Sequence, residues 1–266
     1  MRARQILKAV CLGLICAGSC LAQSQSQAKH SRVELLSQPA ADGALIGVHF
    51  ILEKGWHIYW INPGDSGQPP TLHWTLPAGA SAGEIQWPLP ERLQTSPTIA
   101  DYGYKDDVVL LVPLHLPGKN LKTDIALDAK WLICREVCLP DHAHLTLSPP
   151  AGQQARTAQL FARTRALLPR TWPPAWKANV ESRKDDFVLT IISGRPPVHA
   201  EFFPLDPGQI DNATRQRLTT TSSGAKLVLK KSDLLLKPVP ELRGVLVINN
   251  RAYQVRAPVI AQVALK

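Results

Sequence analysis

The chain has 266 residues, enough for one large domain or two smaller ones, and its 23 prolines and 7 tryptophans are typical of a turn-rich, β-dominated protein. The formal net charge is +9, yet the basic residues are scattered among acidic ones rather than collected with aromatic side chains on one face. Composition and charge therefore argue against a helical bundle and exclude nucleic acid as a partner.

The N-terminus has the pattern of a secretory signal peptide over residues 1–22. Three cations (Arg2, Arg4 and Lys8) precede a short apolar run that ends in small residues. The run is too short to span a bilayer, so we predict a periplasmic protein with no transmembrane segment in the mature chain. Cleavage would remove three cations, lowering the net charge from +9 to +6, and would leave only two cysteines.

The rest of the chain predicts an all-β protein with one linker helix. Residues 23–31 are polar, and we expect them to be disordered. Residues 32–149 contain short strand-like segments separated by turns, which predicts an antiparallel β-sandwich. Residues 150–176 hold apolar positions at helical spacing and then a Pro- and Trp-rich boundary. Residues 177–266 carry further strand-like segments, which predicts a second β-sandwich-like domain that serves for support or docking.

The remaining cysteines, Cys134 and Cys138, lie in the first domain, in the stretch W-L-I-C-R-E-V-C-L-P. In a continuous extended strand their Cα atoms would be about 13 Å apart, which is too far for a disulfide. A tight hairpin with residues 135–137 at its tip would bring them together, so we predict a strand on each side of that tip. In an oxidising compartment such a pair is either a structural disulfide or a redox site.

A second informative stretch is W-H-I-Y-W, residues 56–60. Side chains alternate between the two faces of a strand, so His57 and Tyr59 lie on the face opposite to the three other residues. The following N-P-G-D-S-G-Q-P-P, residues 62–70, is rich in residues that tolerate unusual backbone angles. We therefore predict a strand that leads into a long turn.

Several sequence words together resemble the periplasmic N-terminal region of the DsbD/ScsB family of disulfide reductases. They are G-W-H-I-Y-W-I-N-P-G-D-S-G at 55–67, Q-W-P at 86–88, Y-G-Y at 102–104, C-R-E-V-C-L-P at 134–140 and E-F-F-P at 201–204. The resemblance covers most of the mature chain. It implies an immunoglobulin-like first domain whose redox-active cysteine pair exchanges electrons with thioredoxin-like periplasmic proteins.

The resemblance also implies a role for each side chain around the pair. Cys134 and Cys138 would be the redox-active residues, with His57 and Tyr59 beside them. Residues 101–104 would form a cap loop over the disulfide, and its gating residues would be Asp101, Tyr102 and Tyr104. Well-studied members have a longer cysteine spacing and a Phe in the cap. They also continue into membrane and thioredoxin-like domains that this sequence lacks, so a separate membrane protein is the expected electron donor.

Thiol–disulfide exchange with partner proteins, without an organic cofactor, is the function that we favour, and as an enzyme the chain would be a protein-disulfide reductase. Arg135 would favour the thiolate of Cys134, while Glu136 would oppose it. Two alternatives stay open. The sulfurs of the pair could bind copper together with His142 and His144, as in a copper-tolerance protein. The pair could also be a structural disulfide in a non-catalytic interaction module.

Overall fold

The structure is a computed structural model that describes residues 24–117, 124–147 and 154–260. Within these ranges it contains eighteen strands and one helix, which confirms the predicted all-β class. The predicted signal peptide lies outside the described residues. Among the described residues, no helix is long and apolar enough to cross a bilayer.

Eleven strands build the first domain: β1 (Gln25–Ala28), β2 (Ser31–Ala40), β3 (Gly43–Leu52), β4 (His57–Gly64), β5 (Thr71–Thr75), β6 (Ser81–Ala82), β7 (Glu91–Ser96), β8 (Ile99–Lys105), β9 (Asp107–His115), β10 (Ile125–Cys134) and β11 (Cys138–Leu147). One sheet has the order β1-β2-β3-β9-β6, and the other has the order β11-β10-β4-β8-β7, with β5 also paired to β10. Buried side chains of both sheets, such as Phe50 and Trp60, form one core. The domain is an immunoglobulin-like β-sandwich.

Helix α1 (Gln154–Leu167) covers the outer face of the first sheet. Strand β9 contains five consecutive apolar residues, V-V-L-L-V, as expected for a strand that is buried on both faces. Its Val109 and Leu111 contact Phe161 of the helix. Gly47 leaves the space for this ring, since a Cβ there would lie 2.5 Å from its Cε1 atom. The predicted connecting helix is therefore confirmed as one that packs on the sandwich.

An ion-pair network attaches the same helix to the sheet at its edge. Arg156 donates to Glu34 Oε1 at 2.5 Å, and the same carboxylate accepts from His49 Nδ1 at 2.7 Å. Glu34 is buried, which by itself raises the pKa of its carboxyl, but these two partners lower the pKa below its ordinary value. One member of the predicted apolar helix face, Leu167, is instead 49% exposed, because the helix ends there.

Seven further strands form the second domain: β12 (Lys177–Ser182), β13 (Asp186–Ile192), β14 (Ala200–Pro204), β15 (Arg217–Thr221), β16 (Gly224–Lys230), β17 (Glu241–Ile248) and β18 (Arg251–Ile260). Their order is β14-β17-β18-β12-β13-β16-β15, so they make one sheet that curls around its own core rather than two separate layers. Phe203 and Val245 join the core of the first domain, and the rings of Phe203 and Tyr102 are 5.4 Å apart. The two domains thus share an apolar contact.

Two sequence predictions about local structure are wrong. Residues 25–28, expected to be disordered, form an edge strand, because their backbone pairs with β2 even though their side chains are polar. The backbone N–H of Lys29, next to this strand, donates to Asp141 of β11 at 2.9 Å. Among the strand-like segments expected within residues 32–149, the segment 84–87 contributes only an isolated bridge between Gln86 and Leu111, since prolines at 88 and 90 prevent further pairing.

Candidate functional site

The candidate site lies at the tip of the hairpin formed by β10 and β11. Cys134 pairs directly with Cys138 across the hairpin, their Cα atoms are 4.2 Å apart, and they form a disulfide. Arg135 N donates to Val137 O at 3.2 Å and closes the three-residue turn. The structure therefore confirms the predicted hairpin and its tip.

The two sulfur-bearing residues differ in their access to solvent. Cys134 is only 2% exposed, because β10 is an interior strand with β4 beside it. Cys138 is exposed, because β11 is the last strand of its sheet, and the neighbouring Val137 is 61% exposed. Solvent therefore has access to Cys138 but hardly any to Cys134.

The structure places His57 and Tyr59 beside the disulfide, on the strand face that their alternation predicts. The hydroxyl of Tyr59 lies 3.3 Å from Cys138 Sγ and, since a disulfide sulfur has no hydrogen, the tyrosine is the donor. His57 is the direct cross-strand partner of Cys134, and its ring centroid is 5.2 Å from that of Tyr59. Each sulfur thus has one ring-bearing neighbour.

Burial determines the protonation of both of these neighbours. Burial, assisted by the charge of Lys105, lowers the pKa of His57 to about 4, so its imidazole is neutral at pH 7. Its buried Nε2 atom has no hydrogen-bond partner among the described residues. Burial also raises the pKa of Tyr59, so its hydroxyl keeps its proton and remains a donor. The sulfurs therefore adjoin two neutral groups.

At the hairpin tip, the guanidinium of Arg135 packs on an aromatic ring. The guanidinium of Arg135 lies 5.2 Å from the ring centroid of Trp56, and the ring of His30 stacks on the same indole at 3.9 Å. Glu136 is exposed at the tip. The expected influence of Arg135 and Glu136 on the thiolate stays a prediction, while the structure gives Arg135 a packing role.

A segment that we call the cover segment, residues 62–70, lies against Tyr59. Gly67 has a φ of 77°, and a Cβ there would be 2.1 Å from the Cζ atom of the Tyr59 ring, so only glycine fits. Ser66 donates to Asp101 Oδ1 from its backbone N at 2.9 Å and from its Oγ at 3.0 Å. The sequence predicted a turn here and included N-P-G-D-S-G in the family resemblance, but it gave no indication that the segment packs on Tyr59.

The predicted cap loop is wrong in its structure and in the position of two of its residues. Residues 101–104 lie within strand β8, and Tyr102 and Tyr104 point into the core, because strand alternation puts them on the face opposite to Asp101. Their hydroxyls donate to Asn212 Oδ1 at 3.0 Å and to Pro88 O at 2.8 Å, and burial raises the pKa of both. Asp101 instead contacts the cover segment, through Ser66.

The four residues predicted to bind copper lie on one face of the β10–β11 hairpin, but they are not grouped around a single point. His142 and His144 alternate onto the sheet face that carries the cysteines, opposite Lys130 and Asp128. His144 Nδ1 donates to Asp128 Oδ1 at 2.7 Å, and the two sulfurs bind each other. Among the described residues, no three or more His, Cys, Asp or Glu side chains are grouped as a metal site. Copper binding stays a prediction for the reduced protein.

A first test addresses the hydrogen bond between Tyr59 and Cys138. In reduced protein we expect Tyr59→Phe to raise the pKa of the Cys138 thiol by about one unit, because a hydrogen bond to a charged group contributes about 1.5 kcal/mol. The measurement is the pH dependence of alkylation by iodoacetamide. Tyr253→Phe, in the core of the second domain, is the matched control. An unchanged alkylation midpoint in Tyr59→Phe would contradict the assigned hydrogen bond.

Comparison with known proteins places this geometry in a family. Residues 23–150 match the family described as "Thiol:disulfide interchange protein DsbD, N-terminal". The fold is similar to the crystal structure of the N-terminal periplasmic domain of ScsB from Proteus mirabilis, with 19% sequence identity, a TM-score of 0.67, and coverage of 90% of this chain and 99% of that chain. No curated protein matches the sequence significantly. Residues 23–150 are thus a domain of the DsbD N-terminal type, and the fold of the chain is that of the ScsB domain.

Proposed function

We propose that this chain exchanges disulfides with periplasmic proteins through Cys134 and Cys138. The observation that carries the proposal is the unequal exposure of the pair: a buried Cys134 joined to an exposed Cys138 that accepts a hydrogen bond from Tyr59. A purely structural disulfide has no need of an accessible sulfur beside a proton donor. The family assignment independently supports thiol–disulfide interchange.

The exchange consists of two displacements. A partner thiolate attacks Cys138 Sγ, the bond between the two sulfurs breaks, and Cys134 leaves as a thiolate that takes up a proton. The second partner thiol then displaces Cys138 from the mixed disulfide, so the partner gains a disulfide and the chain gains two thiols. Two electrons and two protons move to the chain. In the reverse direction the same atoms reduce a partner disulfide, with Cys138 as nucleophile and Cys134 as resolving thiol.

The surface around Cys138 supports contact with another protein. A groove of about 440 Å³ lies between the cover segment and the hairpin, and Gln68, Lys130 and Pro140 are among its lining residues. Pro140 is two residues from Cys138 on the same sheet face. The partners that we propose are thioredoxin-like proteins with an accessible dithiol or disulfide. Periplasmic location belongs to the same proposal, since the similar ScsB domain is described as periplasmic.

The experiment that tests this function is the reduction potential of the pair in the mature protein, measured by equilibration in thiol redox buffers. We expect a value above about −250 mV, the range of exchangeable catalytic pairs. A value below about −300 mV would identify a structural disulfide and overturn the proposal. Electron transfer to a thioredoxin-like protein, measured in parallel, should be abolished in the Cys134→Ser/Cys138→Ser double variant.

A further inference from the structure

The second domain contacts the cover segment, which lies against Tyr59. We propose that Asn212 of this domain is a positioning residue, which holds the cover segment in place and thereby holds the Tyr59 hydroxyl against Cys138. The inference rests on the proposed function and assigns the second domain a part in it. It would replace the expected role of a passive support.

The amide of Asn212 is buried between the two domains, with an exposed fraction of 5%. Its Nδ2 donates to Asp65 Oδ1 at 2.7 Å, and its Oδ1 accepts from the Tyr102 hydroxyl at 3.0 Å. Arg92 of strand β7 also donates to Asn212 O at 2.8 Å and to Ala213 O at 2.5 Å. The Nδ2, the Oδ1 and the backbone carbonyl of Asn212 all make hydrogen bonds to the first domain. These bonds fix the orientation of its side chain.

Asp65 transfers this constraint to the cover segment. Its Oδ2 accepts from Ala100 N at 2.8 Å, and its backbone N donates to Ala100 O at 3.2 Å. Asp65 is therefore hydrogen-bonded both to strand β8 and to Asn212. A second contact between the domains lies at the start of the segment. There Asn62, which is 1% exposed, donates from Nδ2 to Pro204 O at 2.8 Å.

Further contacts connect the cover segment, through Tyr59, to the sulfur of Cys138. Ser66 and Gly67 follow Asp65 directly in the chain, so a shift of Asp65 moves both of them. Ser66 is bound to Asp101, and Gly67 lies on the face of the Tyr59 ring. The hydroxyl of that ring is 3.3 Å from Cys138 Sγ. The contacts thus form a continuous path from the second domain to the exposed sulfur.

Loss of the bond between Asn212 and Asp65 should weaken the hydrogen bond that stabilises the Cys138 thiolate. In the reduced full-length protein, we expect Asn212→Ala to lower the thiolate fraction of Cys138 about threefold at neutral pH, a rise of roughly half a pKa unit. The readout is the midpoint of iodoacetamide alkylation against pH. A role confined to stability would change the melting temperature but leave this midpoint in place.

Three further variants sharpen the test. Asn212→Asp keeps the acceptor for Tyr102 but places a carboxylate against Asp65, so it should shift the midpoint at least as far as Asn212→Ala. Asn62→Ala removes the second contact and should shift the midpoint in the same direction. Gln216→Ala is the matched control, because Gln216 makes two hydrogen bonds to the backbone of Phe202, at 2.8 and 2.7 Å, within the second domain.

The proposal is supported if both Asn212 variants and Asn62→Ala shift the midpoint and Gln216→Ala does not. It is overturned if the Asn212 variants keep the wild-type midpoint, or if Gln216→Ala shifts it equally. If Asn212→Ala does not fold, the alkylation midpoints of Asn212→Asp and Asn62→Ala test the proposal instead. The thiol titration can be measured at any reduction potential, so failure here is distinct from a potential below about −300 mV, which would overturn the proposed function instead.

Discussion

Cys134→Ser should react with an aromatic disulfide reagent such as DTNB on the order of 100-fold faster than Cys138→Ser in native buffer. In Cys134→Ser the remaining thiol is exposed and adjoins the Tyr59 hydroxyl. In Cys138→Ser the remaining thiol belongs to a residue that is 2% exposed, so it reacts only after the hairpin opens. An opening free energy of about 3 kcal/mol corresponds to this factor.

Unfolded protein is the control for this comparison, because in concentrated guanidinium chloride the two variants should react at similar rates. The same asymmetry should appear with a thioredoxin-like partner that carries a disulfide, where only Cys134→Ser should accumulate a stable mixed disulfide. That variant lacks the resolving thiol, while Cys138→Ser lacks the nucleophile. Equal rates in native buffer would refute the assignment of Cys138 as the sulfur that is attacked.

The free energy of unfolding should decrease as the pH falls from about 6.5 towards 4, and His57 is the residue responsible. Its pKa in the folded protein is lowered to about 4 from its ordinary value of 6.5. Between these two values the unfolded chain binds a proton that the folded protein does not, so lowering the pH favours unfolding. Over two pH units within this window, the free energy of unfolding should decrease by about 2 to 3 kcal/mol.

Urea unfolding at pH 6.5 and at pH 4.5 measures this contribution. We expect His57→Phe to lose about 2 kcal/mol less than the wild type between the two values, because a phenyl ring has no proton to bind. His73→Phe, at an exposed position of strand β5, is the matched control and should keep the wild-type pH dependence. If His57→Phe and the wild type lost equal stability on acidification, the burial of His57 would not be the cause.

The prediction of the cap loop shows where reasoning from the sequence reached its limit. The word Y-G-Y, residues 102–104, lies within the segment that matches the family. It also alternates large and small side chains, which is the pattern of a strand with one buried aromatic face. Tyr104 lies opposite Ile58, and Gly103 lies opposite Tyr59, where a Cβ on the glycine would be 2.2 Å from Ile58 O. These residues pack the core, and the cover over Tyr59 comes from another segment.

The sequence by itself determined the β class, the pairing of Cys134 with Cys138 and the face shared by His57 and Tyr59. These properties depend on short-range rules: the period of two in a strand, and the distance that two cysteines four residues apart can bridge. Only the tertiary structure decided that Cys138 is the exposed sulfur, because exposure depends on which strand ends the sheet. It also decided that Asn212 contacts Asp65, 147 residues earlier in the chain, since such a contact follows from domain packing and leaves no periodic trace in the sequence.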